Sequence, residues 1–125
     1  MLQVTNTSNA PAAIGPYSQA IEYNGILFAS GQIPLDAQNG EIVGDDIKSQ
    51  AAQAIKNVDG ILKANGLKPE NVIKTTCFLT DMKDFAAFNE VYGAYFTGKP
   101  ARSCVAVKEL PKSVLCEIEV IAAKA

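Results

Sequence analysis

The run Arg102-Ser103-Cys104-Val105-Ala106-Val107-Lys108 is followed, after Glu109-Leu110-Pro111-Lys112-Ser113, by Val114-Leu115-Cys116-Glu117-Ile118-Glu119-Val120-Ile121-Ala122-Ala123. The side chains of a strand alternate between its two faces. In the second run Cys116, Ile118, Val120 and Ala122 form a uniformly apolar face, suited to packing under helices. Leu115, Glu117, Glu119 and Ile121 form a mixed face. In the first run Arg102, Cys104 and Ala106 point one way, and Ser103, Val105 and Val107 the other. Closing the two runs as a hairpin about Glu109-Leu110 sets Arg102 opposite Glu117 and Cys104 opposite Leu115. A slipped register brings Glu119 nearer to Arg102 instead.

Working upstream, Val72 to Thr80 is rich in β-branched residues and reads as a strand. Asp81 and Asp84 both suit the cap of a helix whose stripe is Phe85, Phe88, Tyr92 and Tyr95/Phe96, ended by Gly98 and Pro100. Asp45 or Asp46 caps an earlier helix, in which Ile47, Ala51, Ile55, Val58 and Leu62 recur at helical spacing, with Gly66 as its stop. Tyr17 to Tyr23 and Ile26 to Ser30 read as two strands joined by Asn24-Gly25, a strong hairpin turn. Pro34 weakens a strand after Gly31, Asn39-Gly40 marks another turn, and Met1 to Pro11 reads as a loose polar stretch. The order is β-β-α-β-α-β-β. It predicts an α+β fold: a single mixed β-sheet with two helices on one face. Helices on one face leave the other uncovered. Its mixture of apolar and acidic residues predicts that another subunit covers part of it, with clefts where the charged groups collect.

Residues 1–125 read as a single domain. A chain of 125 residues buries roughly 65–70% of its unfolded surface, enough for a core. Apolar content of 48% and charged content of 19% are those of a globular protein. A net charge of −2, with scattered basic residues, gives no electrostatic reason to expect nucleic acid or an anionic membrane. No secretory signal is visible, and no apolar run approaches the ~20 residues of a membrane span. Cys77, Cys104 and Cys116 are odd in number and lack CxxC spacing, which argues against a disulfide framework or a zinc site. A reducing, cytoplasmic setting is expected.

The chain has no histidine. That removes the Ser-His-Asp triad, the Cys-His pair and imidazole metal sites. Chemistry must come from Arg, carboxylate, Tyr, Ser, Cys or backbone groups. The plain reading of Arg102 and Glu117 is a cross-strand ion pair, worth about 0.2–1 kcal/mol when exposed. The functional reading gives the Arg102 fork to a ligand carboxylate and lets Glu117 handle a proton or a water beside it. Cys104 is a nucleophile favoured by Arg102, a small polarizable wall residue or a supplier of backbone hydrogen bonds, and without a histidine or other visible base the last two fit better. Cys77 and Cys116 read as inert core. Tyr17, after Gly15-Pro16, either enters a strand or presents its hydroxyl to a cleft. Ser30-Gly31 is either a bulge or a place of close backbone approach. Asn89, amid the aromatic stripe of the second helix, reads as satisfying a buried backbone group.

Taken together, these residues resemble a known family. Gly15-Pro16-Tyr17-Ser18-Gln19-Ala20, Ser30-Gly31-Gln32-Ile33-Pro34, Phe88-Asn89 with Tyr92 and Tyr95-Phe96, Pro100-Ala101-Arg102-Ser103-Cys104-Val105, and Leu110-Pro111 followed by Glu117-Ile118-Glu119 are similar, in order and spacing, to the Rid (reactive intermediate deaminase), or YjgF-like, family. The resemblance runs from about residue 10 to the C-terminus. It is nearest the archetypal deaminase subfamily, whose marker arginine falls on Arg102.

The resemblance implies a chorismate-mutase-like fold and a homotrimer with sites between subunits. It implies hydrolysis of reactive 2-imino acids, derived from 2-aminoacrylate and related dehydratase products, to 2-oxo acids and ammonia, without a cofactor. Arg102 then binds the substrate carboxylate and Glu117 positions or activates water. Tyr17, Ser30, Gly31, Asn89 and Cys104 line the pocket. Two other readings stand beside it: a non-catalytic module that binds small carboxylates such as 2-oxo acids, and a ribonuclease or translation inhibitor, activities attributed to members of this family. The acidic balance of the chain argues against the last.

Overall fold

The computed structural model describes residues 1–124. Six strands form one sheet: β1 (Gln3–Thr5), β2 (Ala20–Tyr23), β3 (Ile26–Ala29), β4 (Val72–Leu79), β5 (Ala101–Ala106) and β6 (Cys116–Ala123). Helices α1 (Ile47–Ala64) and α2 (Phe85–Tyr95) supply the second layer. The strand order is β1-β2-β3-β6-β4-β5, and only the β4–β5 pair is parallel. A single mixed sheet with two helices is the architecture that the sequence predicts.

Helix α1 begins where Asp46 accepts a 2.8 Å hydrogen bond from the Ser49 amide. It ends in a Schellman motif: the Leu67 amide donates to the Leu62 carbonyl at 2.9 Å and the Gly66 amide to the Lys63 carbonyl at 3.0 Å. Gly66 supplies the φ of 70° that this motif requires. The predicted stripe Ile47, Ala51, Ile55, Val58 and Leu62 is buried. It packs over Cys116, Ile118, Val120 and Ala122 of β6, each at most 1% exposed. Burying a side chain such as Ile118 contributes about 1.5–3 kcal/mol. Helix α2 adds Phe88 and Tyr92, with Phe96 just beyond its end, to the same core. Cys77 and Cys116 are fully buried there, and burial pushes both thiols up to about 12.

Three expectations change. Strand β1 lies in the stretch read as loose. Its three residues pair with β2, which itself starts at Ala20 rather than Tyr17. So short a strand carries no periodicity of its own; its partner defines it. The third change governs the site: β5 and β6 do not form a hairpin, because β4 lies between them. Thr75 of β4 pairs with Arg102 and Val120, Cys77 with Cys104 and Ile118, and Phe78 with Val105 and Glu117.

The physical reason is the β4-α2-β5 unit. A helix between two strands returns the chain parallel to where it started, which places β5 beside β4. The connection to β6 then crosses the end of β4. The Val107 amide donates to the Leu79 carbonyl at 2.8 Å, and the Thr80 amide to the Leu115 carbonyl at 3.2 Å, so the tip of β4 is held from both sides. Lys112 (φ 57°) and Ser113 (φ 58°) turn the crossing segment back into β6.

Candidate functional site

The observed register moves Arg102 and Glu117 apart. Arg102 and Cys104 share a face with Thr75, Cys77, Ile118 and Val120, the face under the helices. Glu117 and Glu119 pair with Phe78 and Thr76 on the open face. The expected Arg102–Glu117 and Cys104–Leu115 pairings are therefore replaced, and neither register of a hairpin brings Arg102 to a glutamate. The predicted site residues fall into two groups about two clefts; Cys104 shares the face of the first group but does not line its cleft.

The first group is built on α2 and β5. Phe85, Asn89 and Tyr92 stand at i, i+4 and i+7 of α2, one face of a helix. All three reach Arg102. Asn89 Oδ1 accepts a 2.7 Å hydrogen bond from Arg102 Nη1. The guanidinium carbon lies 4.7 Å from the Tyr92 ring centroid and 5.5 Å from that of Phe85. Asn89 thus serves a side chain rather than a backbone group. Among the described residues no carboxylate forms an ion pair with Arg102. Its half-buried charge is met by an amide oxygen and two ring faces, leaving N–H groups for an external anion. Arg102 is also the chain's one arginine. A cleft of about 530 Å³ opens here, between Asn89, Tyr92, Pro100 and Arg102.

Cys104, two residues on, is half-buried. Burial raises its thiol above the usual cysteine range, and the Arg102 charge only partly opposes this. A thiol held in its protonated form is a poor nucleophile, which argues against the nucleophile reading of Cys104.

The second group lies where the segment after β3 meets β6. The Gln32 amide donates to the Ile118 carbonyl at 2.8 Å, and the Ile118 amide to the Gln32 carbonyl at 3.0 Å. Asn57 of α1 anchors the same segment through the Ile33 and Leu35 carbonyls, at 3.0 and 2.8 Å. Ser30 is fixed by its hydroxyl, which donates to the Ser18 carbonyl at 2.6 Å, and by its amide, which donates to the Gln19 carbonyl. Gly31 passes directly under the Glu117 carboxylate. Tyr17, Ser30, Gly31 and Glu117 line one cleft of about 850 Å³, with Ile14 and Lys112 at its rim. Burial raises the Glu117 carboxyl above the ordinary carboxylate range, and repulsion from Glu119 adds to this. A glutamate shifted upward in a cleft is a better proton acceptor than an ordinary carboxylate.

Sequence reasoning missed Phe85 and Tyr92 as part of the site, because an aromatic stripe at helical spacing is the ordinary mark of a core. The signal available was Asn89, a polar residue set between two members of that stripe. The sequence gives Lys112 only a place in the connection between strands; nothing in its neighbours marks its backbone as left-handed.

Residues 7–124 match the family described as Endoribonuclease L-PSP. The 2-iminobutanoate/2-iminopropanoate deaminase of Salmonella typhimurium is 47% identical over 128 aligned residues, covering 99% of each chain. A solved structure of YyfA from Yersinia pestis, a protein of the conserved Rid family, superimposes with a TM-score of 0.96 at 48% identity, covering 99% of this chain and 100% of that one. The E. coli TdcF structure with bound serine superimposes with a TM-score of 0.93 at 45% identity, covering 98% and 99%.

Proposed function

Because the chain belongs to the Endoribonuclease L-PSP (YjgF/Rid) family, we propose that it is a 2-imino acid deaminase, working as a homotrimer whose sites join two subunits. It hydrolyses the imine forms of 2-aminoacrylate and related dehydratase products to 2-oxo acids and ammonia. The observation that carries this reading is the state of Arg102: a half-buried guanidinium with no carboxylate partner among the described residues, bonded to Asn89 and lying over two rings. Such a fork suits the planar carboxylate that every 2-imino acid carries. The deaminase name of the Salmonella relative and the serine bound to TdcF support a small amino-acid-like ligand.

Glu117 lies on the opposite face of the sheet from Arg102, so one chain alone cannot present both groups to one molecule. A second copy resolves this. The open face also carries Val4, Phe28 and Val105, exposed by 62%, 49% and 47% in the single chain. Covering such a surface favours association. In the trimer, Arg102, Asn89 and Cys104 of one subunit face Tyr17, Ser30, Gly31 and Glu117 of the next.

The reaction asks little of the protein. The imine carbon is already electrophilic, so water is a sufficient nucleophile once it is aligned. Arg102 holds the carboxylate. Glu117 accepts a proton from the attacking water as the C–O bond forms and passes it to the imine nitrogen, giving a neutral carbinolamine and a free carboxylate. Glu117 then takes the carbinolamine hydroxyl proton and delivers it to the amino nitrogen as the C–N bond breaks, so that the 2-oxo acid and ammonia leave and the carboxylate is restored. Acid–base help of about 10²–10⁴-fold suits a substrate of this reactivity. We place the reaction in the cytoplasm, where reducing conditions suit three unpaired cysteines.

The test generates 2-imino acids in situ with an amino acid oxidase and traps what remains with semicarbazide. Loss of trapped imine with wild type but not with Arg102→Ala supports the reading. If wild type binds 2-oxo acids but leaves imines untouched, the protein is a carboxylate-binding module. Cleavage of RNA that survives Arg102→Ala would favour the activity in the family's description instead.

A further inference from the structure

We infer that the buried hydroxyl pair of Thr75 and Tyr92 is a positioning unit that fixes the plane of the Arg102 guanidinium. The inference rests on the proposed role of Arg102 and adds to it the residues that aim the fork.

Thr75 is the register partner of Arg102 on the neighbouring strand, so the two side chains leave the sheet side by side on the same face. Tyr92 reaches across both. Its hydroxyl meets Thr75 Oγ1 at 2.7 Å, and its ring face lies 4.7 Å from the Arg102 guanidinium carbon. Thr75 is fully buried and Tyr92 is 8% exposed, so water does not compete for this bond. The ring is also held between Phe88, at 5.8 Å, and Phe96, at 4.5 Å between centroids.

The Asn89 bond alone cannot orient the fork. One hydrogen bond to Nη1 leaves the guanidinium free to swing about that contact. A ring face against the guanidinium removes this freedom, provided the ring stays in place. Packing restrains its tilt, and the Thr75 bond anchors its far end. Both ends of the device thus refer to β4 and β5, the two strands that carry Thr75 and Arg102. Recognition of a carboxylate by two parallel N–H bonds depends on this plane, whereas attraction by charge alone does not.

The experiment uses the intact protein in two measurements. Arg102 is the sole arginine, so its guanidinium ¹⁵N signals need no assignment. A held guanidinium gives separate Nη1 and Nη2 resonances and a swinging one gives an averaged signal. Wild type is expected to show the separated pair. Tyr92→Phe, which keeps the ring, and Thr75→Val, which keeps the shape, are each expected to average it. Thr75→Ser, which keeps the hydroxyl, restores it. A separated pair persisting in both Tyr92→Phe and Thr75→Val overturns the inference.

The second measurement is the affinity for 2-oxobutanoate relative to its neutral amide, by calorimetry. Tyr92→Phe is expected to lower the acid-to-amide ratio by about 5-fold, equivalent to roughly 1 kcal/mol of lost orientation. Equal weakening of acid and amide means general loosening of the cleft and overturns the inference. If wild type itself shows no preference for the acid, the carboxylate role of Arg102 falls, and the resonance measurement still decides whether the hydroxyl pair holds the guanidinium.

Discussion

Gly31 lies beneath the carboxylate of Glu117: a methyl group on its α-carbon would come within 2.8 Å of Glu117 Cδ and closer still to Oε2. Glycine at this position makes room for the side chain proposed to move the proton. The backbone of Gly31 does not need a left-handed φ, so alanine conflicts with Glu117 alone. The glutamate is the flexible partner and will give way. Gly31→Ala is expected to fold, with a melting temperature within a few degrees of wild type, and to lose imine hydrolysis to the extent that Glu117→Gln does, about 10²-fold or more. Semicarbazide trapping together with thermal melts checks this. Wild-type turnover in either variant removes Glu117 from the chemistry.

If each site takes Arg102 from one subunit and Glu117 from another, defective chains can rescue one another. Arg102→Ala and Glu117→Gln homotrimers are each expected to be inactive. Unfolded and refolded together in equal amounts, they regain about a quarter of wild-type activity, the fraction of sites formed by two intact halves. Activity that stays at the level of the separate variants would mean that no site is shared.

Glu117 also makes a prediction about pH. Its folded-state pKa stands above its unfolded value, through burial first and Glu119 second. Its contribution to stability is therefore fully present below the unfolded carboxylate range and is lost as pH rises through the folded pKa. The stability of Glu117→Gln relative to wild type should rise across the same window, measurable as a pH series of denaturant midpoints. Activity moves the other way, because the base must be ionised. The acid limb of the rate profile should lie above the ~4.3 of an ordinary glutamate, and Glu119→Gln should move it downward. An acid limb at the ordinary value would show that Glu117 is not the titrating base.

A glycine inside a helix is usually improved by alanine. Gly60 of α1 should be an exception. An added methyl would meet the Asn9 backbone, 2.7 Å from its carbonyl carbon. That segment is tied down by Gln19, which accepts from the Thr7 amide at 2.7 Å and donates to the Thr7 and Pro11 carbonyls at 3.0 and 2.9 Å. Gly60→Ala is expected to destabilise by about 1–3 kcal/mol and to expose residues 7–11 to proteolysis, as Gln19→Ala does. A stabilised Gly60→Ala would mean the segment yields freely.

Features with local causes were legible in the sequence. The cap at Asp46, the stripe of α1 and the stop at Gly66 are each set by a few neighbouring residues, and the structure repeats them. The Asn24-Gly25 turn likewise shows the paired positive φ values, 52° and 80°, that such a hairpin needs. Strand neighbours were less legible. Proximity in sequence favours a β5–β6 hairpin, whereas the strand-helix-strand unit of β4, α2 and β5 demands a parallel pair. Both patterns were present in the chain, and the crossover decided the outcome because β4 can accept a partner on each edge. The same decision placed Arg102 and Glu117 on opposite faces. Alternation and the expected hairpin put the two residues side by side within one chain; with β4 between the strands, a site containing both requires a second copy, such as the mixed open face predicts.

The 2-imino acids proposed as substrates are electrophiles. Burial keeps the thiols of Cys77 and Cys116 protonated up to about 12, and Cys104, beside the proposed carboxylate clamp, is shifted the same way. With no imidazole in the chain, none of these cysteines has a histidine to activate it. A small electrophile bound at Arg102 would therefore meet no activated thiol nearby.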